Sequence, residues 1–131
     1  MKVLTLLSAA IFFIISPAFA KHIHTERYYQ EAWCAEQGGE VEVRMKDGTR
    51  VDCLTDDMAT EVDFAKNKLY EGIGQALHYS MLTGRPGGLL LIIEHEKEKR
   101  YVKRAKAIIK FYSLPITLFV IYPDNTSHKV E

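Results

Sequence analysis

The stretch 41-VEVRMKDGTRVDCLTDDMATEVDFA-65 decides the fold. VEVR and RVDCLT are short alternating runs joined across KDGT, and Asp47-Gly48 is a strong turn signal between such runs, so this part predicts a hairpin. After the polar loop at Asp56 and Asp57, residues 59–64 continue as a third strand. Side chains alternate with period 2 along a strand, so Glu61 and Asp63 share one face while Val62 and Phe64 take the other.

Working outward, TERYYQEAWCAEQ upstream predicts a helix with Thr25 as its N-cap, a buried stripe of Tyr29, Trp33 and Cys34, and a stop at Gly38-Gly39. Downstream, Leu69, Ile73, Leu77 and Leu82 recur near the 3.6 period, so a second helix runs from about Lys66 to Thr83 and ends at Gly84-Arg85-Pro86-Gly87. Leu89 to Ile93 is an unbroken apolar run, the pattern of a central strand covered on both faces. Residues 94–112 then form a third helix with Tyr101, Ala105, Ile108 and Tyr112 as its stripe. ITLFVIY is a last strand, and Pro123 onward reads as a polar tail. The order is αβββαβαβ, an α/β domain with a mixed sheet flanked by helices.

The first 20 residues stand apart. Lys2 precedes an apolar run from Val3 to Ile15 that closes in Ser16-Pro17-Ala18-Phe19-Ala20, the pattern of a cleavable signal peptide. The run is shorter than the roughly 20 residues of a spanning helix, so cleavage without lasting membrane insertion is the expectation. Export to a periplasm or the medium follows, with residues 21–131 as one domain. That part carries a net charge of −1, because Lys2 is the only charge removed from a chain of 17 basic and 17 acidic residues. Such a balance exerts no global pull on nucleic acid or membrane. Cys34 and Cys53 are the only cysteines; in an exported domain they are expected to form a disulfide that ties the first helix to a strand.

Chemistry concentrates around the third strand. If Asp52 lies on the face of Glu61 and Asp63, three carboxylates converge, a donor set suited to a hard divalent cation such as Mg²⁺. On the second helix Lys68, Glu71, Gln75 and Tyr79 fall on one broad polar face beside them. A lysine there would position a water or stabilise charge developing on a phosphate oxygen.

These residues resemble the PD-(D/E)xK, or restriction-endonuclease-like, nuclease superfamily. An isolated Asp52 in the second strand, Glu61-Val62-Asp63 in the third and Gln75 through Tyr79 on the helix follow its αβββαβ core over roughly residues 25–95. The strings DGTRVDCLT, TEVDFA and GIGQALHYS are also similar to small exported bacterial proteins of that fold. The resemblance implies that Asp52 and Glu61 ligate Mg²⁺ or Mn²⁺, that Val62 lends its carbonyl, and that Gln75 and Tyr79 bind substrate. DNA or another nucleic acid would be the substrate. Asp63 departs from the family, which places a lysine there; Lys68 or Lys66 would supply the missing cation. A catalytically degenerate binding or structural module of the same fold is the rival reading, and an accessory factor of an envelope or secretion complex is a third.

Three further features carry expectations. Gly72 and Gly74 inside a helix point to close approach of helix to sheet. His22 and His24 are expected to be solvated near the new N-terminus. The third helix bears Lys97, Lys99, Arg100, Lys103, Arg104, Lys106 and Lys110, a ridge able to follow a phosphate backbone, with Glu94, Glu96 and Glu98 as helix-spaced partners expected to neutralise part of it.

Overall fold

Thr25 opens the first helix, α1 (Glu26–Glu36), where its Oγ1 accepts the Tyr28 N–H at 3.3 Å. Gly38, in the left-handed region at φ +68°, turns the chain out of the helix and into β1 (Glu40–Arg44). The expected hairpin joins β1 to β2 (Arg50–Leu54), and its turn is held by Asp47, whose Oδ1 accepts from the Thr49 N–H at 3.0 Å and Oγ1 at 2.6 Å. β3 (Ala59–Phe64) passes directly into α2 (Ala65–Thr83), which Gly84 caps. β4 (Gly87–Ile92), α3 (Lys99–Phe111), β5 (Ile116–Ile121) and β6 (Ser127–Lys129) complete the chain. This computed structural model describes residues 21–131, and the signal-peptide assignment falls outside them.

The six strands form one mixed sheet in the order β1-β2-β3-β4-β5-β6. β3, β4 and β5 run parallel in the centre, and antiparallel pairs flank them. α2 and α3 cover one face, with Leu69, Ile73 and Ala105 against Leu89, Leu91 and Leu118. α1 covers the other, with Tyr29 and Trp33 against Val62, Leu90 and Ile92. β4 is buried along its whole length, as its unbroken apolar run requires. The chain is therefore an α/β protein with helices on both faces of its sheet.

Cys34 and Cys53 are joined in a disulfide that links α1 to β2. The bond closes a sequence separation of 19 residues, a constraint on the unfolded chain worth about 3 kcal/mol. Such a bond fits an oxidising compartment. No helix among the described residues is long and apolar enough to cross a membrane.

Three expectations are corrected. The polar tail is not a tail: Asp124 Oδ1 accepts from the Thr126 N–H at 3.0 Å and Oγ1 at 2.7 Å, a turn that returns the chain as β6 beside β5. α3 starts at Lys99 rather than Glu94, because the buried Glu98 carboxylate folds back to accept the N–H groups of Glu94 and His95 over a short 3₁₀ turn. Tyr112 is exposed, and the packed side of α3 runs through Tyr101, Val102, Ala105, Ile108 and Ile109 instead.

Candidate functional site

Strand alternation delivers Glu61 and Asp63 to the α2 face. Their register partners Leu89 and Leu91 lie under that helix, whereas Val62 packs toward α1. Asp52 joins them through a break in the sheet. β2 and β3 pair at Leu54↔Ala59 and Cys53↔Thr60, and at the next position the Asp52 side chain takes over, its Oδ2 accepting the Val62 N–H at 2.8 Å. Opposite, between the Val41↔Cys53 and Val43↔Val51 pairs, Glu42 has φ +57°. Alternation breaks here as well: Cys53 packs with the α1 core, whereas Val51 clusters with Ala59 and Tyr79 of α2. This local widening sets the Asp52 and Glu61 carboxyl groups close enough for each to bear on the other's protonation.

The site is buried and acidic. Glu61 is 5% exposed and Asp63 1%, and Glu61 Oε2 and Asp63 Oδ2 have no hydrogen-bond partner. Burial, and then the charges of Asp52 and Asp63, hold Glu61 far above the usual carboxylate range. Burial also raises Asp52, against the Val62 N–H hydrogen bond and the neighbouring Glu61 carboxyl, which favour its anion. Asp63 is pushed up to about 7, by burial first and the Glu26 charge next, with Lys68 opposing both.

α2 roofs these groups, and Gly72 makes the room. A Cβ at Gly72 would stand 2.7 Å from Asp63 Oδ2 and 3.0 Å from Leu89 Cδ1. A Cβ at Gly74 would meet nothing within 4 Å, so close approach explains only the first of the two glycines. The helix departs from helical geometry at Lys68 (φ −130°, ψ 22°), and from this kink Lys68 Nζ reaches 4.0 Å from Asp63 Oδ1. Asp63 and Glu26 raise the Lys68 pKa, which keeps the ammonium charged. Lys66 forms no ion pair with these acids. Further along the roof Tyr79 is buried one turn beyond Gln75; burial, then the charges of Glu61 and Asp52, raises its hydroxyl to about 12. Asp52, Glu61, Asp63, Lys68, Gln75 and Tyr79 thus belong to one locality.

Two α1 residues join the site beyond those the sequence reading named. The buried Gln30 donates from Nε2 to Glu42 Oε1 at 2.9 Å and to the Asp52 carbonyl at 2.8 Å, tying the helix to the widened strand pair. Glu26 adds a further carboxyl, its pKa raised by burial and lowered by Lys68. Their i, i+4 spacing in ERYYQ was the available signal.

His22 and His24 are not free in solvent. Glu94, at the end of β4, accepts the Ile23 and His24 N–H groups at 2.9 and 3.1 Å, the Tyr29 hydroxyl at 2.9 Å, and His22 Nδ1 at 2.9 Å. His22 stacks on Phe64 at 3.6 Å, and His24 on Tyr28 at 4.0 Å.

The donor chemistry of the Asp52 locality, hard oxygens with two of them orphaned, fits a divalent cation. Among the described residues no three His, Cys, Asp or Glu side chains are already arranged to hold one. Comparison with protein-family models, with curated proteins and with solved structures finds no match for the chain.

Proposed function

We propose that the protein is an exported, metal-dependent phosphodiester hydrolase with a restriction-endonuclease-like core of the PD-(D/E)xK type. One observation carries the reading: Glu61 and Asp63, both buried, each keep an oxygen without a partner beside Asp52 and under a helix that has a glycine at the point of contact. Leaving buried acids with unpartnered oxygens costs stability, and retaining that cost is characteristic of a site that binds or reacts. Asp52 and Glu61, with the Val62 carbonyl, would hold Mg²⁺ or Mn²⁺. When bound, the cation supplies an activated water and neutralises charge on the phosphate. Lys68 offers its ammonium to a phosphate oxygen from the open side, where it is 51% exposed. Gln75 and Tyr79 orient the buried end of the site.

The purified protein is expected to cleave linear or single-stranded DNA with Mg²⁺ or Mn²⁺, and Asp52→Ala to abolish cleavage. Activity that survives this substitution removes the assignment. Asp63 at the usual lysine position favours a second reading, a nuclease fold kept as a binding or structural module. Calorimetry separates the two: saturable Mn²⁺ binding that is lost in Glu61→Gln supports the enzyme, and no saturable binding supports the module.

A further inference from the structure

The near-zero net charge conceals a polarised surface. α3 carries Lys99, Arg100, Lys103, Arg104, Lys106 and Lys110 and no acidic residue. The glutamates expected to neutralise this ridge are mostly committed elsewhere. Glu94 holds the segment around His22, and Glu98 is turned onto backbone N–H groups. Glu96 alone reaches the helix, pairing with Lys99 at 2.8 Å. The other five cations form no ion pair among the described residues.

This cationic face continues into the acidic site. A cleft of about 160 Å³ between α2 and α3 is lined by Lys66, Lys68, Tyr70, Glu71, Tyr101 and Arg104, three cations to one carboxylate, and Lys68 is the residue that reaches Asp63. Tyr70 is 66% exposed there. The Arg100 and Arg104 guanidinium carbons lie 4.9 and 5.4 Å from the Tyr101 ring centre. A polyanion lying on α3 therefore has a charged path to the carboxylates, with aromatic rings beside it. An anionic lipid surface fits less well, because a helix that lies in a membrane needs a free apolar side, and Val102, Ala105, Ile108 and Ile109 are spent on the core.

We propose that this path is the track of a single-stranded nucleic acid. Its phosphates run along Arg100, Lys103 and Arg104, and its bases stack against Tyr70 on the way to Asp52 and Glu61. The strand is single because the cleft is too small for a duplex and the exposed Tyr70 ring suits unpaired bases. The inference rests on the hydrolase reading and names its substrate path.

The test is fluorescence anisotropy of a labelled single strand with the purified protein in EDTA, in an Asp52→Ala background so that cleavage plays no part. Affinity is expected to fall linearly on a log–log salt plot, with a slope of roughly −0.7 per phosphate contacted. Combined Arg100→Glu, Lys103→Glu and Arg104→Glu should weaken binding at least ~10-fold and flatten that slope at a little-changed thermal midpoint. Tyr70→Ala should weaken it about 5-fold without changing the slope. Wild-type affinity in the triple variant overturns the track, as does a preference for duplex. Phosphatidylglycerol vesicles bound in place of the strand, and released by the same triple variant, overturn it in favour of a membrane. Binding without cleavage by the wild-type protein keeps the track and removes the hydrolase; cleavage of single strands by the triple variant at the wild-type rate does the reverse.

Discussion

Two buried acidic regions sit at neighbouring strands of this sheet and are treated in opposite ways. Glu94, 9% exposed, has four donors around its two oxygens, and its pKa is lowered: burial pushes it up, but the hydrogen bonds from His24, His22 and Tyr29 outweigh that. Glu61 and Asp63 are buried at least as deeply, each keeps an orphaned oxygen, and both are raised. Burial is common to both regions, so the difference lies in the supply of donors. The first region is a completed structural joint, and the second is an unfinished one that a ligand could complete. Glu94→Ala should therefore have the larger effect on stability, a loss of about 4 kcal/mol, because it strands the buried Tyr29 hydroxyl and frees the segment around His22. Chemical denaturation measures this, and a loss no greater than that of an exposed Glu→Ala change would break the contrast.

The two regions should also pull stability in opposite directions with pH. Glu94 binds its proton less tightly when folded, so its contribution is present above 4.5 and is lost as pH falls through the lowered value. Asp63 holds a proton in the folded state that the unfolded chain releases above 3.8, so stability declines as pH rises from there to about 7 and then levels. In EDTA the protein should be less stable at about pH 7.5 than at about pH 5, by at least about 2 kcal/mol, since Glu61 and Asp52 are raised as well. Asp63→Asn should remove the share of that decline that Asp63 contributes, leaving the shares of Glu61 and Asp52, while Glu94→Gln should remove the loss on the acid side. Mn²⁺ should restore stability at the higher pH. An increase in stability from pH 5 to 7.5 without metal would show that Asp63 is ionised and partnered.

Local patterns made much of this legible. The Glu61-Val62-Asp63 alternation put two acids on one face, and Asp47-Gly48 located the hairpin. The turn at Asp124-Asn125-Thr126 was equally readable, since it repeats the Asp-x-Thr bonding of Asp47 to Thr49, yet a polar terminus without a long apolar run concealed it. What stayed hidden depends on distance along the chain. His22 meets Glu94 across 72 positions, and Gln30 meets Asp52 across 22, through contacts that no local period encodes. Glu98 has the spacing of a surface ion-pair partner, but its carboxylate turns inward, which only the 3₁₀ turn explains. The break in alternation at Asp52 also lies outside any period-2 rule.

The smallest effect separates Gly72 from Gly74, two positions apart on one helix and indistinguishable by propensity. At Gly74 a methyl group meets open space, so Gly74→Ala should gain about 1 kcal/mol from helix propensity alone. At Gly72 the same propensity gain is opposed by a methyl group placed against Asp63 Oδ2 and Leu89 Cδ1, both inside a packed layer that moves only at a cost. Gly72→Ala should therefore lose about 1 kcal/mol, and it should weaken Mn²⁺ binding by crowding the orphaned oxygen. Thermal melts of the two variants in EDTA should shift in opposite directions. A stabilised Gly72→Ala protein would mean that α2 lifts off the sheet freely. Nothing in the packing would then confine Asp63, and its lack of a partner would reflect loose fit rather than a pocket held open for a ligand.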